Sequence, residues 1–168
     1  ANSMQIAEVE LLGVAAAAEA ENILPNGGFE DGVPDPWTTY GDASIEVVQE
    51  DPVEGDYCLH VTVNSAGANF WDAGLQNAGH VFEAGKSYTL SASLKAKEGT
   101  MNINFKPELA ADPWSGFGDQ EFTMTDEWAE YSVNTGVLEA DVDPGSITFH
   151  IAYAPGEFYV DDVKFCED

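Results

Sequence analysis

The chain has 168 residues, with 31 Asp or Glu against 5 Lys or Arg, for a formal net charge of −26. Such a surface repels nucleic acid and anionic lipid, so neither is expected as a partner. With 44% hydrophobic and 11% aromatic residues the sequence can build a core, and no apolar run reaches the roughly 20 residues needed to span a bilayer.

Residues 1–22 differ in character from the rest of the chain. MQIAEVELLG (4–13) reads as a short strand or helix, and VAAAAEAE (14–21) as an Ala-rich linker. A signal peptide does not fit, because a basic leading region is missing and Glu8, Glu10 and Glu19 interrupt the apolar run. Residues 1–22 are therefore expected to be the remnant of a preceding module plus a linker, and residues 23–168 one β-sandwich module.

From Ile23 onward the pattern is strand and turn. Strands are expected at Ile45–Glu50, Tyr57–Asn64, Ser87–Lys97, Met101–Lys106, Gln120–Met124, Ala129–Thr135, Ser146–Tyr153 and Glu157–Phe165. Turn signals separate them, including Glu54-Gly55-Asp56, Ala84-Gly85-Lys86 and Asp143-Pro144-Gly145. Many short antiparallel strands at this spacing predict an all-β jelly roll, a β-sandwich of two antiparallel sheets. Several strands alternate an apolar face with one of Ser, Thr, Asn and His. Ile103 and Phe105 alternate with Asn102 and Asn104, and Phe149 and Ile151 with His150, which predicts a neutral, hydrogen-bonding sheet face. An ordinary solvated face would give the same pattern.

The acidic balance suits a salty or extracellular setting, and a few carboxylates could hold a hard cation. Asn26-Gly27-Gly28-Phe29-Glu30 presents a carboxylate beside an aromatic anchor, Pro52–Tyr57 is a turn into a strand, and Tyr159–Val163 carries Asp161. Should these segments converge, Glu30, Glu54 and Asp161 with backbone carbonyls would make an oxygen cage for Ca²⁺. Cys58 and Cys166 permit one disulfide, and the sequence does not fix whether they meet. Two Cys and three scattered His show no zinc spacing.

The same segments carry a resemblance. NGGFE (26–30), Trp37-x-x-Tyr40-Gly41, FEAGKSYTL (82–90) and YVDDV (159–163) resemble the carbohydrate-binding modules of family 4 and the related families 9, 16 and 22, in order over residues 23–166. The resemblance implies a jelly roll with a sugar cleft on its concave sheet face, no catalysis, and a structural Ca²⁺ apart from the cleft. Carried across, Glu30, Glu54 and Asp161 would give side-chain oxygens to the ion, and Gly28 and Tyr57 their carbonyls. Trp37, Tyr40, Trp71, and Trp114 or Phe117 would line the cleft, and His150 would hydrogen-bond the sugar.

Sugar chemistry supports part of this. A pyranose face of axial C–H groups stacks on a flat ring, while its hydroxyl rim needs amide or imidazole partners. Asn69–Asn77 and Trp114–Gln120 mix such residues and are expected to be loops or strand ends flanking the sheet face. They contribute Gln76, Asn77 and Gln120 as candidate ligands beside Asn102 and Asn104. Trp37 could equally close the core, and Trp128 reads as packing. A cysteine partner that pairs with the Cys58 position in one cellulose-binding relative is replaced here by Tyr159, so that disulfide does not carry over. Basic residues that grip sugar in some members have no match in the Trp114 loop.

Three functions are thereby set against one another. The first is a secreted, monomeric binding module for β-linked polysaccharide (β-glucan, amorphous cellulose or xylan), covalently attached to a glycoside hydrolase. The second is a glycoside hydrolase on a jelly roll, which would need a pair of carboxylates across the cleft. The third is an adhesive sandwich of a surface protein.

Overall fold

The computed structural model describes residues 21–168; the readings made for residues 1–20 lie outside the described residues. Among the described residues ten strands occur in chain order. They are β1 (Thr38–Tyr40), β2 (Ala43–Val48), β3 (Cys58–Val63), β4 (Gly74–Phe82), β5 (Tyr88–Ala96), β6 (Met101–Leu109), β7 (Gln120–Met124), β8 (Ala129–Asn134), β9 (Val142–His150) and β10 (Gly156–Glu167). They form two five-stranded sheets, β1-β4-β9-β6-β7 and β2-β3-β10-β5-β8. Every pairing is antiparallel. The expected all-β sandwich is therefore found.

Alternation builds the layer between the sheets. Ile103 and Phe105 on β6, Ile147 and Phe149 on β9, and Phe158 and Val160 on β10 are buried in one continuous core. Phe149 packs edge-on to Phe105 at 4.8 Å and stacks on Trp37 at 6.1 Å. A second aromatic group joins Phe82, Tyr88 and Phe165. Each buried ring of this size stabilises the fold by about 1.5–3 kcal/mol.

Three elements differ from expectation, the first being β1, a strand at Thr38–Tyr40 where none was expected. Residues 74–82 form strand β4, paired with β1 and β9, although 69–77 reads as a flanking loop or strand end. GLQNAGHVF lacks an apolar period because Asn77 occupies a core-facing position. Its amide donates to the Pro25 carbonyl at 3.3 Å and its oxygen meets His80 Nε2 at 2.9 Å, which satisfies a buried polar group. A bulge at Gly79, with φ of +92°, shifts the register between Ala78 and His80. Likewise Asp143-Pro144-Gly145 is not a turn but the start of β9. Gly145 is required there, since a Cβ would lie 2.8 Å from the Phe82 ring.

Cys58 is buried on β3, and no disulfide joins it to Cys166. Burial, foremost, pushes the Cys58 thiol up to about 12, so it packs as a neutral side chain. Trp128 packs on the outer face of the second sheet, where its Nε1 donates to the Asp51 carbonyl at 2.8 Å and Lys95 Nζ lies 5.4 Å from its ring.

Candidate functional site

The face of the first sheet that points away from the core carries polar residues in rows fixed by the register. One row runs Tyr40, Gly74, His150, Asn104, Glu121, and the next runs Thr38, Gln76, Thr148, Lys106. A third places Ala78, Ser146 and Glu108 side by side. Gly74 makes room in the first row: a Cβ there would lie 2.6 Å from the Tyr40 ring.

These rows floor a cavity of about 730 Å³. Its walls come from two loops. Before β4, a short 3-10 turn (Phe70–Asp72) raises Trp71, which is 51% exposed. Phe70 meets Trp71 edge-on at 4.9 Å and stacks on Tyr153 at 5.2 Å, and the Tyr40 hydroxyl donates to the Trp71 carbonyl at 3.1 Å. After β6, the loop carrying Pro113 raises Trp114, which is 52% exposed and also lines the cavity. Since β4 and β6 both pair antiparallel with β9, the start of β4 and the end of β6 lie at opposite strand ends. The trough thus runs across the strands between two tryptophan-bearing loops. Trp114 has φ of +61°, a left-handed backbone that a bulky residue rarely adopts.

Charge is present on the floor, contrary to the neutral face expected. Glu108 is 4% exposed; its Oε1 lies 3.3 Å from Lys106 Nζ, and its Oε2 accepts the Thr148 hydroxyl at 2.5 Å. Asp119 also lines the cavity. Burial, and then the Glu108 charge, push the Tyr40 hydroxyl up to about 12, so it stays protonated. Burial, then Lys106, push His150 down to about 4, while Asp119 opposes the shift. Near neutral pH His150 is therefore an uncharged imidazole, with Nδ1 3.2 Å from the Asn104 oxygen. Nδ1 donating to Asn104 leaves Nε2 as an acceptor.

This environment makes the site sensitive to acid. In the unfolded chain His150 takes up its proton near 6.5, in the folded chain near 4. Its contribution to stability is complete above pH 6.5 and is lost as pH falls towards 4. Ligand affinity that depends on the Nε2 acceptor should hold from pH 7 to 5 and fall near pH 4, and His150→Gln should flatten that fall. A decline already complete between pH 7 and 6 would contradict this environment.

Of the candidate ligands, Tyr40, Trp71, Gln76, Asn104, Trp114 and His150 are brought together around this cavity. The others are not. Trp37 is 2% exposed, wedged between Phe29 and Phe149, with Nε1 donating to the Asn26 carbonyl at 3.0 Å. Asn77 faces the core. Phe117 leans on the core and lines a separate groove with Val137 and Leu138. Gln120 pairs with Phe105, and its neighbour Glu121, paired with Asn104, takes the cleft-side parity instead. Asn102 shares the face of Asn104 but lies outside the cavity lining, accepting the Thr123 hydroxyl at 2.7 Å. Sequence reasoning missed Phe70, Lys106, Glu108, Pro113 and Asp119, which also line the cavity. Extending the period-2 pattern of β6 past Pro107 would have found Glu108.

The residues expected to hold Ca²⁺ only partly assemble. Among the described residues no three of His, Cys, Asp and Glu lie close enough together to hold a metal ion. The charge of Glu54 acts on Lys164. Glu30 and Asp161 both clamp the loop 53–57. Glu30 accepts the N–H groups of Asp56 and Tyr57 at 2.9 and 3.0 Å. Asp161, fully buried, accepts those of Val53 and Glu54 on one oxygen and that of Asp162 on the other. Burial still outweighs these bonds and pushes its carboxyl up to about 6. The donor chemistry, hard oxygens around a poorly compensated charge, suits a hard cation; the three-carboxylate cage does not form.

A family described as a carbohydrate binding domain matches residues 21–155. No curated protein matches the chain in sequence. Among solved structures, a CBM4 module superposes with a TM-score of 0.69 at 21% identity, covering 86% of this chain and 99% of its own. The CBM22-1 xylan-binding domain of Paenibacillus barcinonensis Xyn10C gives 0.66 at 15% identity, covering 84% and 91%. The CBM22-1 and GH10 modules of Clostridium thermocellum xylanase 10B, complexed with xylohexaose, give 0.61 at 18% identity, covering 89% of this chain and 28% of that one. At these identities the solved structures share the fold with this chain.

Proposed function

Because the chain belongs to the carbohydrate binding domain family that spans its residues 21–155, we propose that the trough on the first sheet holds an internal stretch of a β-linked polysaccharide, a β-glucan, amorphous cellulose or xylan. The family is non-catalytic, so the site binds and does not cleave. The observation that carries the reading is the pairing of Trp71 and Trp114, each about half exposed, around one polar-floored cavity. Flat indole faces take the C–H faces of pyranose rings. Gln76, Asn104 and His150 meet the hydroxyl rim below them. Half-exposed rings cost little desolvation and bring a modest affinity, roughly micromolar to millimolar in Kd.

Such affinity suits an attached module. Tethering raises the local concentration of a partner domain near its substrate without a tight single site. One structural relative is joined to a GH10 module, and we assign this chain the same arrangement, with a secreted, monomeric module beside a glycoside hydrolase. We also propose that Glu30 and Asp161, with the carbonyls of Gly28 and Tyr57, hold a structural Ca²⁺ that would supply charge compensation at the loop 53–57.

Affinity electrophoresis or calorimetry with soluble β-glucan, xylan and hydroxyethylcellulose tests the glycan reading. Binding to at least one of these, with no release of reducing sugar, is expected. Binding to none of them would overturn it and favour a protein partner for the exposed tryptophans.

A further inference from the structure

We infer that the trough selects uncharged glycan chains and turns away chains bearing uronic acid groups, and that Glu108, Asp119 and Glu121 set this preference. The inference rests on the glycan-binding reading above and deepens it.

Lys106 is the cation in the lining, and it is already engaged. Its Nζ lies 3.3 Å from Glu108 Oε1. Asp119 lies close to it as well: a Cβ placed on Gly116 would lie 2.8 Å from both Lys106 Cε and Asp119 Oδ1. Glu121 extends the row of His150 and Asn104, and its Oε1 accepts the Tyr153 hydroxyl at 3.3 Å. Within the lining one ammonium thus stands against two carboxylates, and Glu121 adds a third beside it, at the end of the row outside the lining. His150 adds no positive charge near neutral pH. Around the site, the chain as a whole carries −26.

This charge arrangement acts on a ligand in two ways. Sugar hydroxyls are donors, and carboxylates are acceptors only, so an undecorated chain finds matched partners. A uronate carboxylate brings an acceptor and a like charge to a site with no uncommitted cation. Discrimination then comes from an unfavourable contact built against the wrong ligand. Because it is electrostatic over several ångströms at an open surface, salt weakens it.

The experiment compares matched polymers with the intact chain. Hydroxyethylcellulose is set against carboxymethylcellulose, and neutral arabinoxylan against glucuronoxylan, in low salt and in about 1 M NaCl, where the screening length shrinks to about 3 Å. The neutral member of the pair that binds is expected to bind at least tenfold tighter at low salt. In high salt the gap should close to within about twofold, as screening removes the repulsion. The double variant Asp119→Asn/Glu121→Gln, which changes the net charge of the molecule only slightly, should narrow the gap at low salt. Equal or tighter binding of the anionic member at low salt would overturn the inference. So would a gap that neither salt nor the variant moves, since steric exclusion would then explain it. Failure of every neutral polymer to bind would instead overturn the glycan reading on which the inference rests.

Discussion

Replacing Trp71 by alanine should weaken binding of a soluble β-glucan or xylan by about 1–3 kcal/mol, taken by analogy with base stacking on aromatic rings. That corresponds to roughly five- to 150-fold in Kd. The fold should survive, because the ring is 51% exposed and its chief partner is Phe70, which keeps its stack on Tyr153. Trp114 should behave differently. Its left-handed backbone, φ +61°, costs about 1–2 kcal/mol for a residue with a Cβ. Trp114→Gly should therefore weaken binding comparably while leaving the melting temperature unchanged or slightly raised. Calorimetry on the two variants beside thermal melts checks both effects. Unchanged affinity in both would remove the trough as the binding site, and a large loss of stability in Trp114→Gly would show that the ring is a structural prop.

Asp161→Ala is expected to cause the largest loss of stability. The side chain is fully buried and accepts N–H bonds from Val53, Glu54 and Asp162 at 2.7–3.0 Å. Truncation leaves these donors without acceptors, at about 1–3 kcal/mol each where water cannot reach. A total of at least about 3 kcal/mol is expected, which for a chain of this size lowers the melting temperature by roughly 6–12 °C. The same melts test the calcium proposal. A cation bound to the folded state raises its stability, so chelator should lower the melting temperature of the parent chain and leave Asp161→Ala unmoved. A parent melt insensitive to chelator and to added Ca²⁺ would overturn the ion and leave the N–H clamp as the whole role of Asp161. A variant that melts within about 2 °C of the parent would overturn the clamp as well.

The fold was largely legible because most strands carry their own period. In Tyr88–Ala96, Leu90, Ala92 and Leu94 turn inward, and in Met101–Leu109 so do Ile103 and Phe105. Strand β4 escaped because two features that break the pattern, Asn77 in the core and the bulge at Gly79, are tolerated only through long-range partners. Pro25 lies 52 residues away from Asn77 in the chain. The start of β9 escaped for a similar reason. Asp143-Pro144-Gly145 has turn chemistry, and its strand conformation is imposed by pairing with β4 and by the Phe82 ring against Gly145.

The site was legible in part. Asn104 and His150 lie on expected strands, where parity alone sends them to the face opposite the core. Trp37 and Phe117 lie off the strands, where no parity operates, and packing against Phe149 and the core draws them inward. Gln120 sits at a strand end, and a single step of register gives the cleft-side parity to Glu121.

By itself, then, the sequence determined an acidic two-sheet sandwich with one polar strand face, because alternation and turn chemistry are local properties of the chain. The tertiary structure alone decided which tryptophans stand free and that Lys106 and Glu108 pair on the floor of the trough. Those outcomes depend on which strands become neighbours and on how loops fold back over them, and contacts between residues distant in sequence fix both.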